Sequence, residues 1–167
     1  MSSGDRPKSR RRKSWMLPLL ICTFIFALLL LLFTPTFHDK YFGLAQNESA
    51  AIGSLLKINE FQKQYAAAHP GKGFACELHL LRPTEPTNDG YNPTTSLLTG
   101  KWSGFKFTVV GCTPDARGIV SKYQVVAVPS ILGITGTRAF CTDETREIFY
   151  DPSASASECV SLHRALP

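Results

Sequence analysis

The 167-residue sequence lacks the short motifs that mark most catalytic and metal-binding proteins. It contains no H-E-x-x-H, G-x-S-x-G or C-x2–4-C spacing, and its four histidines are dispersed along the chain. In many such proteins these spacings place the metal ligands or the nucleophile on one helix or one turn. We therefore expect no enzymatic activity, no cofactor, no metal ion and no small-molecule substrate.

The sequence also lacks a broad basic surface, although its formal net charge is +5. Residues 1–14 contain six basic side chains and one acidic side chain, whereas the rest of the chain contains twelve of each sign. Proteins that bind nucleic acid spread basic residues over their folded surface. We therefore expect no nucleic-acid partner and interpret residues 1–14 as a basic cytoplasmic tail.

Charged residues are absent between Lys13 and Asp39, and thirteen of the seventeen residues from 17 to 33 are Leu, Ile or Phe. Segment 15–37 is long enough to cross a hydrocarbon core of about 30 Å as a helix. The preceding basic residues favour a cytoplasmic amino terminus. We predict a single-pass protein of the cytoplasmic (inner) membrane, with the lipid bilayer as a partner. The predicted organisation comprises a tail, a transmembrane helix, a linker and an extracytoplasmic domain: residues 1–14, 15–37, 38–46 and 47–167.

A cleaved signal peptide is the alternative interpretation of the apolar segment. Residues 43–45, Gly-Leu-Ala, precede Gln46 with the small-x-small pattern of a cleavage site. However, the apolar run is longer than the usual signal-peptide core of about 7–15 residues, and it ends well before this site. These lengths favour an uncleaved anchor.

Four of the five cysteines fall in the predicted extracytoplasmic domain. An even number of cysteines in an oxidising compartment predicts two disulfides, for which three pairings exist. We favour Cys76–Cys112 and Cys141–Cys159, because each bond ties a loop or tail to the end of a neighbouring predicted strand. A four-cysteine zinc site is the alternative, but no two of these cysteines have zinc-finger spacing.

The residues after Asn47 predict an amphipathic helix that begins at this N-cap residue. Its apolar stripe follows a period close to 3.6: Ala51, Leu55, Ile58, Phe61, Tyr65 and Ala68, widened by Ile52 and Leu56. Polar residues are predicted on the outer face: Lys57, Glu60, Gln62, Lys63 and Gln64. A stripe of this width indicates a helix that packs on a sheet.

Strand signals follow in the second half of the chain, in residues 104–110, 121–128, 137–142 and 147–150. Their connections are short, which favours an antiparallel meander because parallel crossovers need a dozen or more residues. The predicted fold class is α+β, with an amphipathic helix packed on a roughly four-stranded antiparallel sheet behind the transmembrane helix.

Arg138 is the charged residue that we expect to have a structural role. It lies at the start of the predicted closing hairpin, and carboxylates follow at both ends of that hairpin. We predict an ion pair between Arg138 and either Asp143 or Asp151 that fixes the hairpin.

The order of these elements resembles that of type IV pilin-like and pseudopilin-like proteins. Residues 47–59, with Tyr65 after them, are similar to the segment that follows the hydrophobic helix in a bacterial pilin-like group. Three later segments are similar to that group's strands and closing hairpin: residues 104–107, 123–129 and 133–144. The resemblance covers about residues 47–151. It implies a pilin-like fold and, as partners, other envelope, pilus or secretion proteins.

One departure from the pilin pattern changes the expected function. The residues before the apolar segment are Arg-Lys-Ser-Trp (12–15), without the prepilin peptidase site of the family, and no acidic residue lies in 15–38. We therefore expect a stationary, non-enzymatic membrane protein with an envelope structural or protein-interaction role. Two alternatives stay open: a minor pilin or type II secretion pseudopilin with an atypical amino terminus, and an anchored periplasmic hydrolase.

Overall fold

The computed structural model describes residues 16–32, 35–82 and 93–166. The predicted tail 1–14 lies outside these residues, as do positions 15, 33 and 34 of the predicted span. The chain divides into two compact units, Met1–Asp39 and Lys40–Pro167. The described part is α+β, and it contains four α-helices and a five-stranded antiparallel sheet. The helices are α1 (Met16–Leu32), α2 (Pro35–Ala68), α3 (Pro93–Leu98) and α4 (Ala156–Leu162), with a 3-10 turn at Leu78–Leu80.

Helix α1 belongs to the first unit and contains 17 residues. Its large apolar side chains from Leu17 to Leu31 are exposed by 45–71%. The exposed residues are consecutive over several turns, and their side chains point in all directions around the helix axis. The helix therefore exposes apolar side chains around its whole circumference. Among the described residues, no helix combines the length and the apolar character required to span a membrane.

Helix α2 begins at Pro35, so the predicted start at Asn47 is wrong and residues 38–46 are part of this helix. Proline is tolerated in the first turn of a helix, and no second proline follows before Pro70. Leu44, Ala45 and Gln46 are strong helix formers. The chain therefore enters the second unit as continuous helix.

The apolar stripe of α2 packs on one face of the sheet. Four of its predicted members are buried to at least 94%: Ala51, Leu55, Ile58 and Phe61. They form one hydrophobic cluster with alternate residues of the strands, including Phe105, Phe107, Val125 and Phe140. The predicted packing of an amphipathic helix on an antiparallel sheet is thereby confirmed. Leu56 is 52% exposed and does not widen the stripe as expected.

The sheet has five strands rather than four, in the order β1-β2-β3-β4-β5. They are β1 (Lys101–Trp102), β2 (Phe105–Val110), β3 (Gln124–Pro129), β4 (Ala139–Asp143) and β5 (Ile148–Asp151). The unpredicted strand β1 has only two residues, too few to show a period of two. A hairpin turn at Ser103 and Gly104 joins it to β2, and both turn residues have positive φ, as tight hairpin turns require.

Helix α4 covers the opposite face of the sheet. Val126, Cys141 and Phe149 point to this face and form a second hydrophobic cluster with Cys159 of α4. The disulfide Cys141–Cys159 joins α4 to β4, and the disulfide Cys76–Cys112 joins the segment after α2 to the end of β2. Both bonds have the predicted pairing. The sheet therefore lies between two helices, one of which is held covalently.

Candidate functional site

Arg138 directly precedes β4, and its ion-pair partner is Glu48 of α2. The Nη2 and Nε atoms of Arg138 lie 2.7 and 2.9 Å from Oε2 of Glu48, so the guanidinium donates two hydrogen bonds. The same guanidinium lies over the rings of Phe140 and Tyr150, at 5.4 and 5.8 Å from their centroids. Arg138 thus joins the helix to the start of the closing hairpin.

The predicted pairing of Arg138 with Asp143 or Asp151 is therefore wrong. Asp143 lies at the far end of β4, about 16 Å from Arg138 at the rise of an extended strand. Asp151 lies opposite Ala139 in the sheet, but its Oδ2 accepts hydrogen bonds from the turn that follows β5, at Ser153 and Ser155. Distance excludes the first partner, and the second carboxylate is used to stabilise its own turn.

The second oxygen of Glu48 completes the site. Oε1 accepts hydrogen bonds from the backbone N–H and hydroxyl of Thr137, at 2.8 and 2.9 Å, and from the backbone N–H of Arg138 at 3.2 Å. Burial alone raises the pKa of Glu48, but the hydrogen bonds from Thr137 and Arg138 and the guanidinium charge outweigh it. The pKa is therefore lowered from its ordinary value of 4.5. We call Glu48, Thr137 and Arg138 the carboxylate clamp.

The sequence does not predict the carboxylate clamp, because in it Glu48 is only the residue that follows the predicted N-cap Asn47. Glu48 and Arg138 are 90 residues apart, and no local pattern connects them. The one available signal is the position of Glu48 itself. It lies one helical turn before Ala51 and Ile52, and therefore on the face of the helix that is predicted to be buried. A buried acidic position of this kind requires a partner.

The loop between β3 and β4 lies directly before the clamp and carries exposed aliphatic side chains. Ile131, Leu132 and Ile134 are exposed by 54, 64 and 65%. Residues 130–137 contain no charged side chain. We call residues 130–136 the apolar loop.

The backbone of the apolar loop is hydrogen-bonded within the loop itself. Thr135 N–H donates to the carbonyl of Ile131 at 2.9 Å, and Gly133 N–H donates to the carbonyl of Gly136 at 2.8 Å. The hydroxyl of Thr135 accepts from the N–H of Ile131 at 3.1 Å. The loop is therefore a closed turn that holds its aliphatic side chains outward.

Three segments meet at the base of the apolar loop. Ser130 N–H donates to the carbonyl of Gly104 at 2.8 Å, which joins the loop to the β1–β2 turn. The hydroxyl of Ser103 donates to Oδ1 of Asn47 at 3.2 Å, which joins the same turn to α2. Gly136 packs so closely on Phe105 that a Cβ atom would lie 2.5 Å from its ring. We call the surface formed by Asn47, residues 103–104 and the apolar loop the amino end of the domain.

A groove of about 300 Å³ at the opposite end of the sheet contains titratable side chains, among them Lys122, Asp143, Glu144 and His163. His163 Nε2 lies 3.5 Å from Oδ2 of Asp143, and Oδ1 of the same carboxylate accepts from the N–H and hydroxyl of Thr145. These contacts hold the β4–β5 turn and the end of α4. In the described ranges, no group of three His, Cys, Asp or Glu residues is arranged to hold a metal ion.

The sequence matches no protein-family model and no curated protein, and the fold matches no solved structure. The resemblance to pilin-like proteins therefore rests on the residue segments quoted above. The carboxylate clamp and the apolar loop lie in the disulfide-bonded domain, which follows the apolar helix α1 in the chain.

Proposed function

We propose that this chain is a non-enzymatic, single-pass membrane protein whose extracytoplasmic, pilin-like domain has a structural or protein-interaction role in the cell envelope. The observation that carries the proposal is the combination of an apolar helix with a disulfide-bonded helix-on-sheet domain in one chain. Other envelope proteins are its proposed partners, and the cytoplasmic membrane is its proposed location.

The apolar segment supports an anchoring role. The side chains of α1 are apolar and exposed on every side, and a helix of this kind is stable only when buried in protein or lipid. Helix α1 itself has 17 residues, about 25 Å at the rise of an α-helix. The proposed anchor covers segment 15–37, whose sequence continues past α1 with Phe33 and Phe37.

The disulfides support an extracytoplasmic domain. Both bonds lie in the unit after the apolar segment, whereas the cysteine within α1, Cys22, is free. Disulfides persist in oxidising compartments and are rare in the cytosol. The basic residues of 1–14 favour the same orientation, because positive charge is retained on the cytoplasmic side.

The pilin-like part of the proposal is supported by α2 and the sheet. A 34-residue helix leads from the apolar segment into the domain and packs on an antiparallel meander, the arrangement that the resemblance implies. The length of α2 also favours the second candidate, a minor pilin or secretion pseudopilin with an atypical amino terminus. The missing prepilin peptidase site favours the stationary anchor over this candidate.

The test is cell fractionation of the full chain, combined with sequencing of its amino terminus and peptide mapping without reduction. We expect the chain in the membrane fraction, extracted only by detergent, with its basic tail intact and with Cys76–Cys112 and Cys141–Cys159 bonded. A methylated new terminus directly before the apolar segment would establish the pilin alternative instead. A freely soluble chain with four reduced thiols would contradict both.

A further inference from the structure

The apolar loop is a contiguous aliphatic surface, unlike the other exposed aliphatic positions described in the domain. Leu56, Leu80 and Leu162 are 52, 43 and 51% exposed, but each lies singly on a different element. Single exposed leucines are common on protein surfaces. Three aliphatic side chains on one closed turn, without a charged residue among them, instead indicate a surface that is covered by a partner.

We propose that the apolar loop inserts into the surface of the anionic phospholipid bilayer in which the chain is anchored. The inference rests on the proposed function, since it assigns the loop to the membrane that holds segment 15–37. It adds a second contact with lipid, made by the folded domain, to the anchor itself. Binding to a membrane interface strengthens with the apolar area that is buried at the boundary of headgroups and acyl chains, and with attraction to anionic lipids.

The position of the loop in the domain favours lipid as the occupant. The amino end of the domain includes Asn47, which is seven residues from Lys40, about 10 Å along α2. The chain that precedes Lys40 leads to the apolar segment within a few more residues. The exposed aliphatic side chains therefore lie at the end of the domain through which the chain connects to its anchor.

The internal hydrogen bonds of the loop also suit a bilayer surface. A backbone N–H or C=O that enters an apolar environment without a partner carries a large energetic cost. In the apolar loop, the turn from Ile131 to Thr135 and the bond from Gly133 to Gly136 satisfy such groups within the loop. The loop can therefore enter the headgroup region without losing backbone hydrogen bonds.

A pair of lysines at the base of this end favours an anionic lipid surface. Lys101 and Lys106 lie directly opposite each other in β1 and β2, and both are exposed. Like charges at such positions destabilise a sheet. Within residues 16–32, 35–82 and 93–166, no carboxylate forms an ion pair with either ammonium group. Anionic headgroups would neutralise this repulsion.

The test uses tryptophan emission of the full chain reconstituted into vesicles of phosphatidylglycerol and brominated phosphatidylcholine, in which bromine on the acyl chains quenches nearby indole rings. Three single-tryptophan variants are compared. The first keeps Trp15 and carries Trp102→Phe, so it reports on the anchor. The second and third carry Trp15→Phe and Trp102→Phe with either Leu132→Trp or Leu162→Trp. Leu162 is the matched control, because it is a similarly exposed leucine in α4, whose end lies near the opposite end of the sheet.

We expect Trp15 and the L132W variant to lose most of their emission in brominated vesicles and the L162W variant to keep it. Quenching of Trp15 without quenching of L132W would overturn the loop inference and leave the anchor in place. Equal quenching of L132W and L162W would also overturn it, because contact would not be specific to the loop. An unquenched Trp15 would overturn the proposed function itself. Thermal unfolding of each variant, followed by circular dichroism, verifies that the domain is folded.

Discussion

Replacing Glu48 by alanine is expected to lower the free energy of unfolding by about 2–4 kcal/mol, because the substitution leaves charged and polar donors without an acceptor. Arg138 would lose its ion-pair partner, and Thr137 would lose the acceptor for its N–H and hydroxyl. The side chain of Arg138 is 35% exposed, so water compensates part of the loss. Urea unfolding of the full chain in detergent, followed by near-ultraviolet circular dichroism, measures the effect.

Two further variants test whether the loss of stability comes from the contacts of the clamp or from the removal of any carboxylate from α2. Glu60→Ala removes an exposed glutamate from the same helix, and we expect it to change stability by less than about 0.5 kcal/mol. The double variant Glu48→Leu with Arg138→Met replaces both members of the ion pair by apolar groups, so it should recover the part of the loss that comes from the unpaired guanidinium. The N–H and hydroxyl of Thr137 stay without their acceptor in this variant. Equal stability of Glu48→Ala and Glu60→Ala would show that the clamp contributes nothing to the fold.

The clamp also predicts a dependence of stability on pH. The folded-state pKa of Glu48 lies below its ordinary value of 4.5, so the ionised carboxylate is favoured in the folded state. Its contribution is complete above the ordinary pKa and is lost as the pH falls through the lowered one. The stability difference between the wild type and Glu48→Gln should therefore be constant near neutral pH and shrink below about pH 4.5. A difference that grows on acidification would contradict an anionic Glu48.

The carboxylate clamp joins α2 to the segment that carries the apolar loop. The clamp therefore contributes both to the stability of the domain and to the position of the loop that we propose to contact the membrane. Thr137 directly follows the loop, and its N–H and hydroxyl are held by Glu48. On the other side of the loop, Ser130 is held by Gly104. One end of the loop is therefore fixed to α2 and the other to the β1–β2 turn. We expect loss of the clamp to loosen the loop before it affects α4.

The parts of the fold that were predicted from the sequence are those with a local signal. Strands β2 to β5 were each located to within a few residues by their alternating or β-branched patterns. The disulfides followed from cysteines near predicted strand ends. Strand β1 and the start of α2 at Pro35 were missed, the first because it is too short and the second because helical propensity continues across the predicted linker.

The candidate site was harder to predict because its contacts join distant residues. Glu48, Asn59 and Gln62 are polar positions of α2 that the structure buries to at least 94%. The helical period predicts Gln62 on the outer face because glutamine is polar. The sequence pattern contains no information about Ala75, whose backbone groups bond the buried side chain of Gln62. Asn59 accepts from the hydroxyl of Tyr123 and donates to Thr142, which are 64 and 83 residues away. Glu48 and Asn59 thus fix α2 to residues in or next to the sheet, whereas Gln62 fixes it to Ala75 in the segment that follows the helix.

The hydroxyl of Tyr123, which donates to Asn59, is buried, and this burial changes its pKa. Desolvation, with smaller contributions from the charges of Asp143 and Glu144, raises the pKa of Tyr123 to about 12. The phenol is therefore neutral at every pH at which the domain is expected to fold, and it can donate to Asn59 throughout. Acid loss of stability is thus assigned to carboxylates such as Glu48 and not to this network.

Substitution of Gln62 by leucine is expected to destabilise the domain by about 2–4 kcal/mol, although leucine has a similar size, because two buried backbone groups lose their partners. Gln62 is fully buried, and its side chain donates to the carbonyl of Ala75 and accepts from the N–H of Ala75, each at 2.8 Å. Gln64→Leu is the matched control, since Gln64 is exposed on the same helix and its side chain donates to Oε1 of the exposed Glu60. Urea unfolding measures the stability change, and hydrogen exchange at Ala75 should accelerate in Gln62→Leu alone. If Gln62→Leu is as stable as Gln64→Leu, the side chain of Gln62 does not hold Ala75, and the segment that leads to Cys76 is fixed by the disulfide and by its backbone hydrogen bonds with Val120.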